Sequence, residues 1–344
     1  MIVQRPVVLL LMRAASPAHS IERLFETLAP LLSTNFEVRV VRVPCQSRGI
    51  LRCARNLIFT ARQRADIIHV TGDIHYCVLG VRRQRCVLTI HDLCSLDRLE
   101  GTRKRIFSTL WYSLPLRWAP RATAISEETR RQLEHYFFSA VAGKIEVIPN
   151  CVDGGFKKNY RAARTHTGEL QVLQVGTGRN KNLERVAAAA SGLPLRLRII
   201  GPLSDRQRSL LRSLDLDWTS AQQLSGDEVV REYRDSDLLV FASTYEGFGL
   251  PIVEAQAIGL PVITSNMAPM TEVAGDAALF VDPYDEKEIR AALEKILHSP
   301  DLAKQLSYQG QRNAERFAAK IVAARYADVY TDILPQAVPA RQFE

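Results

Sequence analysis

The sequence predicts an α/β protein with two doubly wound parallel sheets. Short apolar segments alternate with helix-like segments in two successive series along the 344-residue chain. The first strand-like segment, Val7–Met12, is continuously apolar, as in a strand buried on both faces, and short apolar strands alternating with helices are typical of parallel sheets covered on both sides. At about 100–200 residues per domain, this length favours two domains.

The first series begins with a strand predicted at Val7–Met12 and a helix predicted at Ser20–Leu32. The apolar residues of that helix recur on one face, and its first residue is a suitable cap. Ser126, followed by two glutamates, is predicted to open another helix. The remaining strands of this series are predicted at 36–43, 66–70, Cys86–Ile90 and 144–148.

The polar segment 154–169 has no periodicity and is predicted to be a linker. The residues after about 334 are expected to be irregular. Ligands of parallel sheets bind outside the carboxyl ends of the strands, so segments that directly follow strands are the candidates for a site. The second series has strands predicted at Leu170–Val175, Leu195–Ile200, 238–242 and 261–264, and helices at 182–190, 228–234 and 252–257.

Charge differs sharply between the two halves of the chain. Residues 1–150 hold 22 Lys and Arg against 12 Asp and Glu, a net of +10, whereas the remainder holds 23 against 25, a net of −2. A basic half favours an anionic partner: nucleic acid, an anionic bilayer or a phosphate-bearing acceptor all fit, as does a solvated face without a partner. The basic, aromatic segment 103–114 fits a membrane-surface helix or a core-packed helix with a basic end.

Other classes of protein are disfavoured by what the sequence lacks. No apolar run reaches the roughly 18 residues of a membrane-spanning helix, and no secretory leader is evident, so a cytoplasmic protein is expected. The cysteines show no Cys-x-x-Cys spacing and no histidine pair at zinc-ligand spacing, so free thiols and no metal site are expected. The six cysteines are Cys45, Cys53, Cys77, Cys86, Cys94 and Cys151.

The strongest motif spans residues 243–255, directly after a predicted strand. Its two glycines, Gly247 and Gly249, allow the backbone to approach a ligand, and Pro251 suits the first turn of a helix. The N–H groups at such a helix start bind a diphosphate. Glu246 and Glu254 can each accept hydrogen bonds from vicinal hydroxyls, so they are predicted to hold the two ends of a nucleotide sugar. The alternative is a plain strand–turn–helix with surface glutamates.

Two shorter motifs also follow predicted strands. In the segment 175–183, glycines and the cations Arg179 and Lys181 precede a helix, which predicts phosphate binding. The alternative for Lys181 is a surface position, although a cation there opposes the helix dipole unless an anion binds. His91 and Asp92 follow the strand predicted at Cys86–Ile90, where a lone histidine can equally be structural.

Together these motifs resemble the retaining GT-B glycosyltransferases of family four, whose signature is Glu-x7-Glu. The resemblance covers most of the second half and continues through 257–266 and 272–276. It implies two Rossmann-like domains facing a central cleft: 1–155 for the acceptor, 156–325 for the nucleotide sugar, and 326–344 returning to the first domain.

The resemblance also implies roles for individual residues. Glu246 would contact the donor sugar near the reacting carbon and Glu254 the ribose, while His91 would meet the donor sugar. Lys181 would neutralise the departing diphosphate; Arg179 stands closer to Lys181 than the family's arginine does, which leaves its role open. Further donor contacts would come from Gly176 and from the amides of Phe248, Gly249 and Leu250.

Acceptor contacts are less defined in the sequence. The loop after the first strand lacks the glycine pair of many relatives and begins with Arg13, which could meet a phosphate or lie on the surface. Asp92 could orient a turn or touch the acceptor.

The predicted reaction is therefore transfer of a sugar from a UDP- or GDP-sugar to an acceptor hydroxyl, with retention and without a metal or other cofactor. A saccharide or lipid-linked acceptor for surface polysaccharide is expected, at the inner face of a membrane if the basic half binds one. Two alternatives remain: a GT-B nucleotide-sugar epimerase or phosphorylase, and a basic nucleic-acid-binding protein. The 7% aromatic content disfavours the last, so no nucleic-acid partner is expected.

Overall fold

The computed structural model describes residues 5–14, 20–97, 99–159 and 169–334. They form two compact units, each containing one six-stranded parallel sheet. Unit 1 comprises the described residues up to Ile125, then Thr129–Pro149, and those from Lys320 onward; unit 2 comprises Ser126–Glu128 and Asn150–Ala319. The predicted α/β class with two doubly wound sheets is confirmed.

The elements up to residue 150 supply the whole sheet of unit 1. Short 3₁₀ helices lie at His75–Gly80 and Arg83–Arg85, and a π-helical turn lies at Thr109–Ser113. The regular elements are β1 (Val7–Met12), α1 (Ser20–Leu32), β2 (Glu37–Arg42), α2 (Ile50–Ala61), β3 (Ile67–Val70), β4 (Cys86–Ile90), α3 (Cys94–Asp97), α4 (Gly101–Ser108), α5 (Leu114–Trp118), β5 (Arg121–Ala124), α6 (Glu127–Val141) and β6 (Ile145–Val147).

The elements after residue 150 supply the sheet of unit 2 and end with a helix that belongs largely to unit 1. They are α7 (Gly154–Lys158), β7 (Leu170–Val175), α8 (Leu183–Ala190), β8 (Leu195–Ile200), α9 (Asp205–Ser213), β9 (Asp217–Ala221), α10 (Gly226–Asp235), β10 (Leu238–Phe241), α11 (Leu250–Ile258), β11 (Val262–Ser265), α12 (Met270–Ala274), β12 (Leu279–Val281), α13 (Glu286–His298), α14 (Pro300–Ala314) and α15 (Ala319–Ile333).

Each sheet has one point where the strand order reverses direction. Unit 1 has the order β2-β1-β3-β4-β5-β6, and unit 2 has the order β9-β8-β7-β10-β11-β12. The order reverses between β1 and β3 in unit 1, and between β7 and β10 in unit 2. The loops that leave these paired strands diverge to opposite faces and open a crevice at the carboxyl ends, where ligands of doubly wound sheets bind.

The core of unit 1 includes buried polar groups contributed by distant parts of the chain. His69 on β3 is fully buried, with Nδ1 2.7 Å from the hydroxyl of Tyr330 and Nε2 2.7 Å from Oγ1 of Thr89. The ring of Phe25 on α1 meets the His69 ring edge-on with centroids 5.1 Å apart, and it meets the Tyr326 ring at a tilt with centroids 5.5 Å apart. The hydrogen bonds satisfy groups that would be costly to bury alone, and they attach α15 to this sheet.

The strongly patterned elements agree with the sequence prediction. The bounds predicted for β1, α1, β4, β7 and β8 match the structure residue for residue. Pro251 occupies the first turn of α11, as predicted. The proposed capping side chain of Ser20 lies outside the described residues, as does the tail after 334.

The prediction of a linker over 154–169 is wrong at its first residues. Residues Gly154–Lys158 form α7, whose first turn is capped because the Asp153 carboxylate accepts from the amide of Gly155 at 2.7 Å. Phe156 is buried and meets Tyr233 edge-on at 5.2 Å. One buried aromatic in a polar segment is enough to anchor this turn; residues 160–168 lie outside the described set.

Two further findings concern the described residues alone. None of their helices combines the length and apolarity needed to cross a bilayer. The cysteines are all free thiols, and burial raises the pKa of Cys77, Cys86 and Cys151 to about 12 in each case.

Candidate active site

In unit 2, two predicted motifs meet at the reversal point of the sheet. The loop 176–182 leaves β7, and the loop 242–249 leaves the neighbouring strand β10. The two loops are joined directly, because the amide of Thr244 donates to the carbonyl of Asn180 at 2.8 Å. Sheet order therefore brings together segments about 65 positions apart in sequence.

An ion pair between Lys181 and Glu246 lies at the centre of this junction. Nζ of Lys181 is 2.5 Å from Oε1 of Glu246, and the two side chains are 21% and 12% exposed. The same ammonium lies 4.7 Å from the ring centroid of Phe241. The pair is partly open to solvent, so a ligand can compete for either partner.

Gly176 allows the Lys181 side chain to lie along the loop. Its φ is +88°, and a Cβ placed there would come within 2.9 Å of Cγ of Lys181. Both the backbone conformation and the space therefore require glycine. The predicted grouping of Gly176 with Lys181 has a steric basis, in addition to any ligand contact.

The glycine motif begins α11 with the backbone arranged as expected for an anion site. Gly249 is the residue before the helix and has φ +99°. Pro251 has no N–H, so the amides near Phe248, Gly249 and Leu250 are the donors that this helix end carries. Phe248 is buried against Phe317, with ring centroids 5.6 Å apart, and thereby fixes the loop.

Glu254 lies on α11, one turn inside the helix. Its Oε2 accepts a 2.6 Å hydrogen bond from the hydroxyl of Tyr233, which is fully buried. Burial raises the pKa of Tyr233 well above its usual value, and the charge of Glu254 adds to that effect. Tyr233 therefore remains a donor and orients this carboxylate. Sequence reasoning missed it, since nothing local connects two residues 21 positions apart on different helices.

Arg179 is not brought into the cluster. It lies in the 3₁₀ turn Arg179–Lys181 and is exposed, and within the described chain its guanidinium has no hydrogen bond or ion pair. The shortened loop points this side chain into solvent, and its role as a phosphate ligand stays a prediction.

In unit 1, His91 follows β4 and is nearly buried. Its Nε2 lies 2.8 Å from the carbonyl oxygen of Thr71, which follows β3. Burial lowers the pKa of His91, outweighing the carbonyl contact and nearby carboxylates that act in the other direction. A neutral ring that donates from Nε2 has an unprotonated Nδ1, which can accept a hydrogen bond.

The two residues predicted to contact the acceptor have partners of their own. Arg13, after β1, makes a two-pronged contact with Glu22: Nε to Oε1 at 2.5 Å and the second nitrogen to Oε2 at 3.2 Å. Asp73 lies 3.6 Å from the same guanidinium. The Arg13 side chain is 18% exposed, and a contact with a phosphate stays a prediction. The rest of its loop, 15–19, lies outside the described residues.

Asp92 orients a turn, one of its two predicted roles. Its Oδ1 accepts from the amide of Cys94 at 2.9 Å, and its carbonyl accepts from the hydroxyl of Tyr112 at 3.2 Å. A contact with an acceptor stays a prediction.

Comparison with known families decides the assignment. Residues 8–154 match the profile described as Glycosyltransferase Family 4, and residues 156–313 match that of Glycosyl transferases group 1. The chain belongs to glycosyltransferase family 4. The two matches meet near residue 155 and together cover nearly all the described residues of this family-4 chain.

Curated relatives share part of the family-4 chain. It is 37% identical over 109 residues to a D-inositol 3-phosphate glycosyltransferase of Thermobispora bispora, covering 31% of this chain and 26% of that relative. It is 38% identical over 86 residues to O-antigen chain mannosyltransferase B of Escherichia coli, covering 25% and 23%. These alignments span about a quarter of each relative's length.

Solved structures share the fold over almost the whole family-4 chain. Sucrose-phosphate synthase of Thermosynechococcus elongatus has a TM-score of 0.79 at 18% identity, covering 96% of this chain and 99% of its own. Anabaena HepE, in complex with UDP-glucose, has a TM-score of 0.73 at 16% identity, covering 95% and 100%. WaaG, a glycosyltransferase involved in lipopolysaccharide biosynthesis, has a TM-score of 0.70 at 15% identity, covering 94% and 99%. At these identities the likeness establishes the GT-B fold.

Sequence reasoning also missed the polar residues that fix the family-4 loops in place. Gln174 of β7 is fully buried, and its Nε2 donates to the carbonyl of Lys181 at 3.0 Å. Asn182, in the left-handed region with φ +59°, donates to the carbonyls of Ala242 and Pro283 at 3.0 and 2.6 Å. Because asparagine tolerates this conformation, Asn182 closes the turn directly after Lys181. Their signal in the sequence is an amide side chain next to a motif predicted to bind phosphate.

Proposed function

We propose that this family-4 chain transfers a sugar from a UDP- or GDP-sugar to an acceptor hydroxyl with retention at the anomeric carbon. The observation that carries the proposal is the partly open Lys181–Glu246 pair at the reversal point of unit 2. A cation and a carboxylate held side by side beside a helix start match the two ends of the bond that breaks, a diphosphate and a sugar.

In the proposed reaction, Lys181 stabilises the diphosphate leaving group. Negative charge grows on the diphosphate as the glycosidic bond breaks, and a preorganised ammonium with helix N–H groups stabilises that charge. The amides near Gly249 at the start of α11 supply such groups. The diphosphate competes with Glu246 for Lys181, so donor binding exchanges one anionic partner of the ammonium for another.

The two carboxylates accept hydrogen bonds from the two parts of the donor that carry hydroxyls, the sugar and the ribose. Glu246 accepts from sugar hydroxyls and Glu254, oriented by Tyr233, accepts from the ribose. For His91 of unit 1, a contact between its unprotonated Nδ1 and a donor hydroxyl stays a prediction. The acceptor hydroxyl attacks the oxocarbenium-like centre from the face that the diphosphate leaves, which gives retention. We propose that this chemistry proceeds without a metal.

Names of related proteins support a saccharide acceptor. HepE was solved with UDP-glucose, WaaG acts in lipopolysaccharide biosynthesis, and the Escherichia coli relative is an O-antigen chain mannosyltransferase. The acceptor proposed for this chain is a saccharide of a surface polysaccharide, carried on a lipid.

A screen of donor hydrolysis with UDP-, GDP- and ADP-sugars, with and without EDTA, tests this proposal. Lys181→Ala and Glu246→Ala are expected to lower turnover about 100-fold or more, as removal of one charge-stabilising group does elsewhere. Lys157→Ala is the matched control, because it breaks an exposed pair with Glu315 in the same unit. Wild-type turnover in either site variant refutes its role, and loss of turnover in EDTA refutes the metal-free reaction.

We further propose that unit 1 binds anionic bilayers at the cytoplasmic face of a membrane. The outer face of α2 exposes Leu51, Arg55, Ile58 and Arg62, which recur at helical spacing, and Leu51 and Ile58 are 83% and 53% exposed. The segment 44–64 contains five arginines and no acid. Alternating apolar and cationic residues on one helix face are typical of helices that lie on anionic lipid.

Vesicle flotation tests this second proposal. Phosphatidylglycerol vesicles are expected to carry the protein, and phosphatidylcholine vesicles are not. Leu51→Ser with Ile58→Ser should abolish binding, whereas Ile321→Ser, which removes an exposed isoleucine of α15, should not. Equal binding by both variants would exclude α2 as the binding face, and binding to duplex DNA in preference to vesicles would exclude the bilayer as the anionic partner.

A further inference from the structure

Asn180 stands between the two loops of the unit 2 site and has no assigned role. Its Nδ2 donates to the carbonyl of Tyr245 at 2.9 Å and lies 3.4 Å from Oε1 of Glu246. Its own carbonyl accepts from the amide of Thr244 at 2.8 Å. Asn180 therefore contacts the backbone of the two residues directly before Glu246 and reaches the carboxylate itself.

The two carboxylate oxygens of Glu246 differ in their hydrogen-bond contacts. Oε1 receives Lys181 at 2.5 Å and Asn180 at 3.4 Å, whereas Oε2 accepts no hydrogen bond from the described residues. A carboxylate with one oxygen held and one oxygen available has a fixed orientation and still offers an acceptor to a ligand. Oε2 is therefore the oxygen left for a sugar hydroxyl.

Donor binding changes which group holds Oε1. In the proposed function, the diphosphate draws Lys181 away from Glu246, and the carboxylate would then lose its only charged partner. Asn180 remains, because its position is set by backbone contacts with Tyr245 and Thr244 that do not involve Lys181.

We infer that Asn180 is a positioning residue: it holds Oε1 of Glu246 so that Oε2 meets the donor sugar while Lys181 is engaged with the diphosphate. The inference rests on the proposed function. It predicts an effect on the sugar part of the donor and little effect on the nucleotide part, a separation that general loosening of the loop would not produce.

Calorimetric titration with UDP, UDP-glucose, GDP and GDP-mannose tests the inference. In Asn180→Ala, the affinity for the effective nucleotide sugar and the turnover are expected to fall about 10-fold to 100-fold, the range for a hydrogen bond to a charged group. Affinity for the matching UDP or GDP should stay within about 3-fold. Asn180→Asp, which places a second carboxylate beside Glu246, should be at least as impaired.

Two controls separate positioning from folding. Asn159→Ala removes a 2.8 Å side-chain bond to the Gly155 carbonyl in the same unit and should leave turnover and both affinities unchanged. In a Glu246→Ala background, which lacks the acceptor oxygen, Asn180→Ala should weaken nucleotide-sugar binding by no more than about 2-fold, because residues acting as a pair are not additive.

Each negative result of these titrations has a different interpretation. Wild-type protein that binds none of the four compounds overturns the proposed function and this inference with it. Wild-type binding that Asn180→Ala leaves intact overturns the inference alone. Equal loss of nucleotide and nucleotide-sugar affinity, or an undiminished effect in the Glu246→Ala background, would show that Asn180 merely supports the loop.

Discussion

The two units place an ion pair at the carboxyl edge of similar sheets but surround it differently. In unit 2, Lys181 and Glu246 are 21% and 12% exposed and meet through a single oxygen. In unit 1, Arg13 meets Glu22 through both carboxylate oxygens, and Glu22 is only 2% exposed. The first pair can exchange a partner for a ligand, whereas the second is fixed by burial. The strand order thus places each ion pair at the edge of its sheet, and local burial decides whether the pair can bind a ligand or only stabilises the unit.

The largest difference in stability is expected between alanine substitutions of Glu22 and of Glu246. Removing Glu22 leaves Arg13 without its buried partner, so Glu22→Ala should lower the free energy of unfolding by about 2–3 kcal/mol. This is below the 3–5 kcal/mol of fully buried pairs, because Arg13 keeps Asp73 and some solvent. Glu246→Ala should cost less than about 1 kcal/mol. Urea unfolding measures both, and a larger loss for Glu246→Ala would reverse the comparison.

Acid should weaken unit 1 before unit 2. Burial lowers the pKa of His69 to about 3 and that of His75 to about 4, and it lowers that of His91 as well. As pH falls below about 6.5, the histidines of the unfolded chain become protonated, whereas the buried rings of the folded chain stay neutral. Stability therefore falls by about 1.4 kcal/mol per pH unit for each such histidine, down to its folded pKa. In unit 2 the one described histidine, His298, is exposed.

Hydrogen exchange at pH 7 and pH 5, corrected for intrinsic rates, resolves the two units. Protection of β3 and β4 is expected to fall more than protection of β7 and β10. Equal losses in the two sheets would contradict the role assigned to the buried histidines.

A smaller effect is expected at the Glu254 end of the proposed donor site. Tyr233→Phe removes the 2.6 Å hydrogen bond to Glu254 and leaves the ring packed on Phe156. One hydrogen bond to a carboxylate is worth about 1.5–3 kcal/mol, and loss of an orienting bond costs part of this. Nucleotide affinity should fall about 3-fold to 10-fold with little change in melting temperature. A drop in melting temperature with unchanged affinity would make Tyr233 a packing residue.

The elements with a clear apolar pattern could be predicted from the sequence, and those shaped by distant partners could not. The strands β1, β4, β7 and β8 are strongly apolar or are bounded by glycine and proline. Helix α2 was missed because its exposed face mixes apolar and cationic residues, including Leu51, Arg55 and Ile58, while its buried residues include Asn56 and Thr60, so the apolar pattern does not separate an inner from an outer face. β5, with the sequence Arg-Ala-Thr-Ala, has no β-branched run, and β9 lies at the sheet edge with polar residues.

The site could be predicted as far as its charged and glycine residues, which chemistry makes conspicuous. Its orienting residues could not, because their partners are carbonyls and carboxylates brought near by the sheet. Asn180 meets residues 64–66 positions away, and His69 meets Tyr330, 261 positions away. The spacing of these residues along the chain therefore does not predict such contacts.

The most direct test of the account is a crystal structure with the nucleoside diphosphate that binds, UDP or GDP. The account predicts phosphate oxygens within hydrogen-bond distance of Nζ of Lys181 and the amides at the start of α11, with the ribose hydroxyls on Glu254. A nucleotide bound elsewhere, with Lys181 still paired to Glu246, would contradict it.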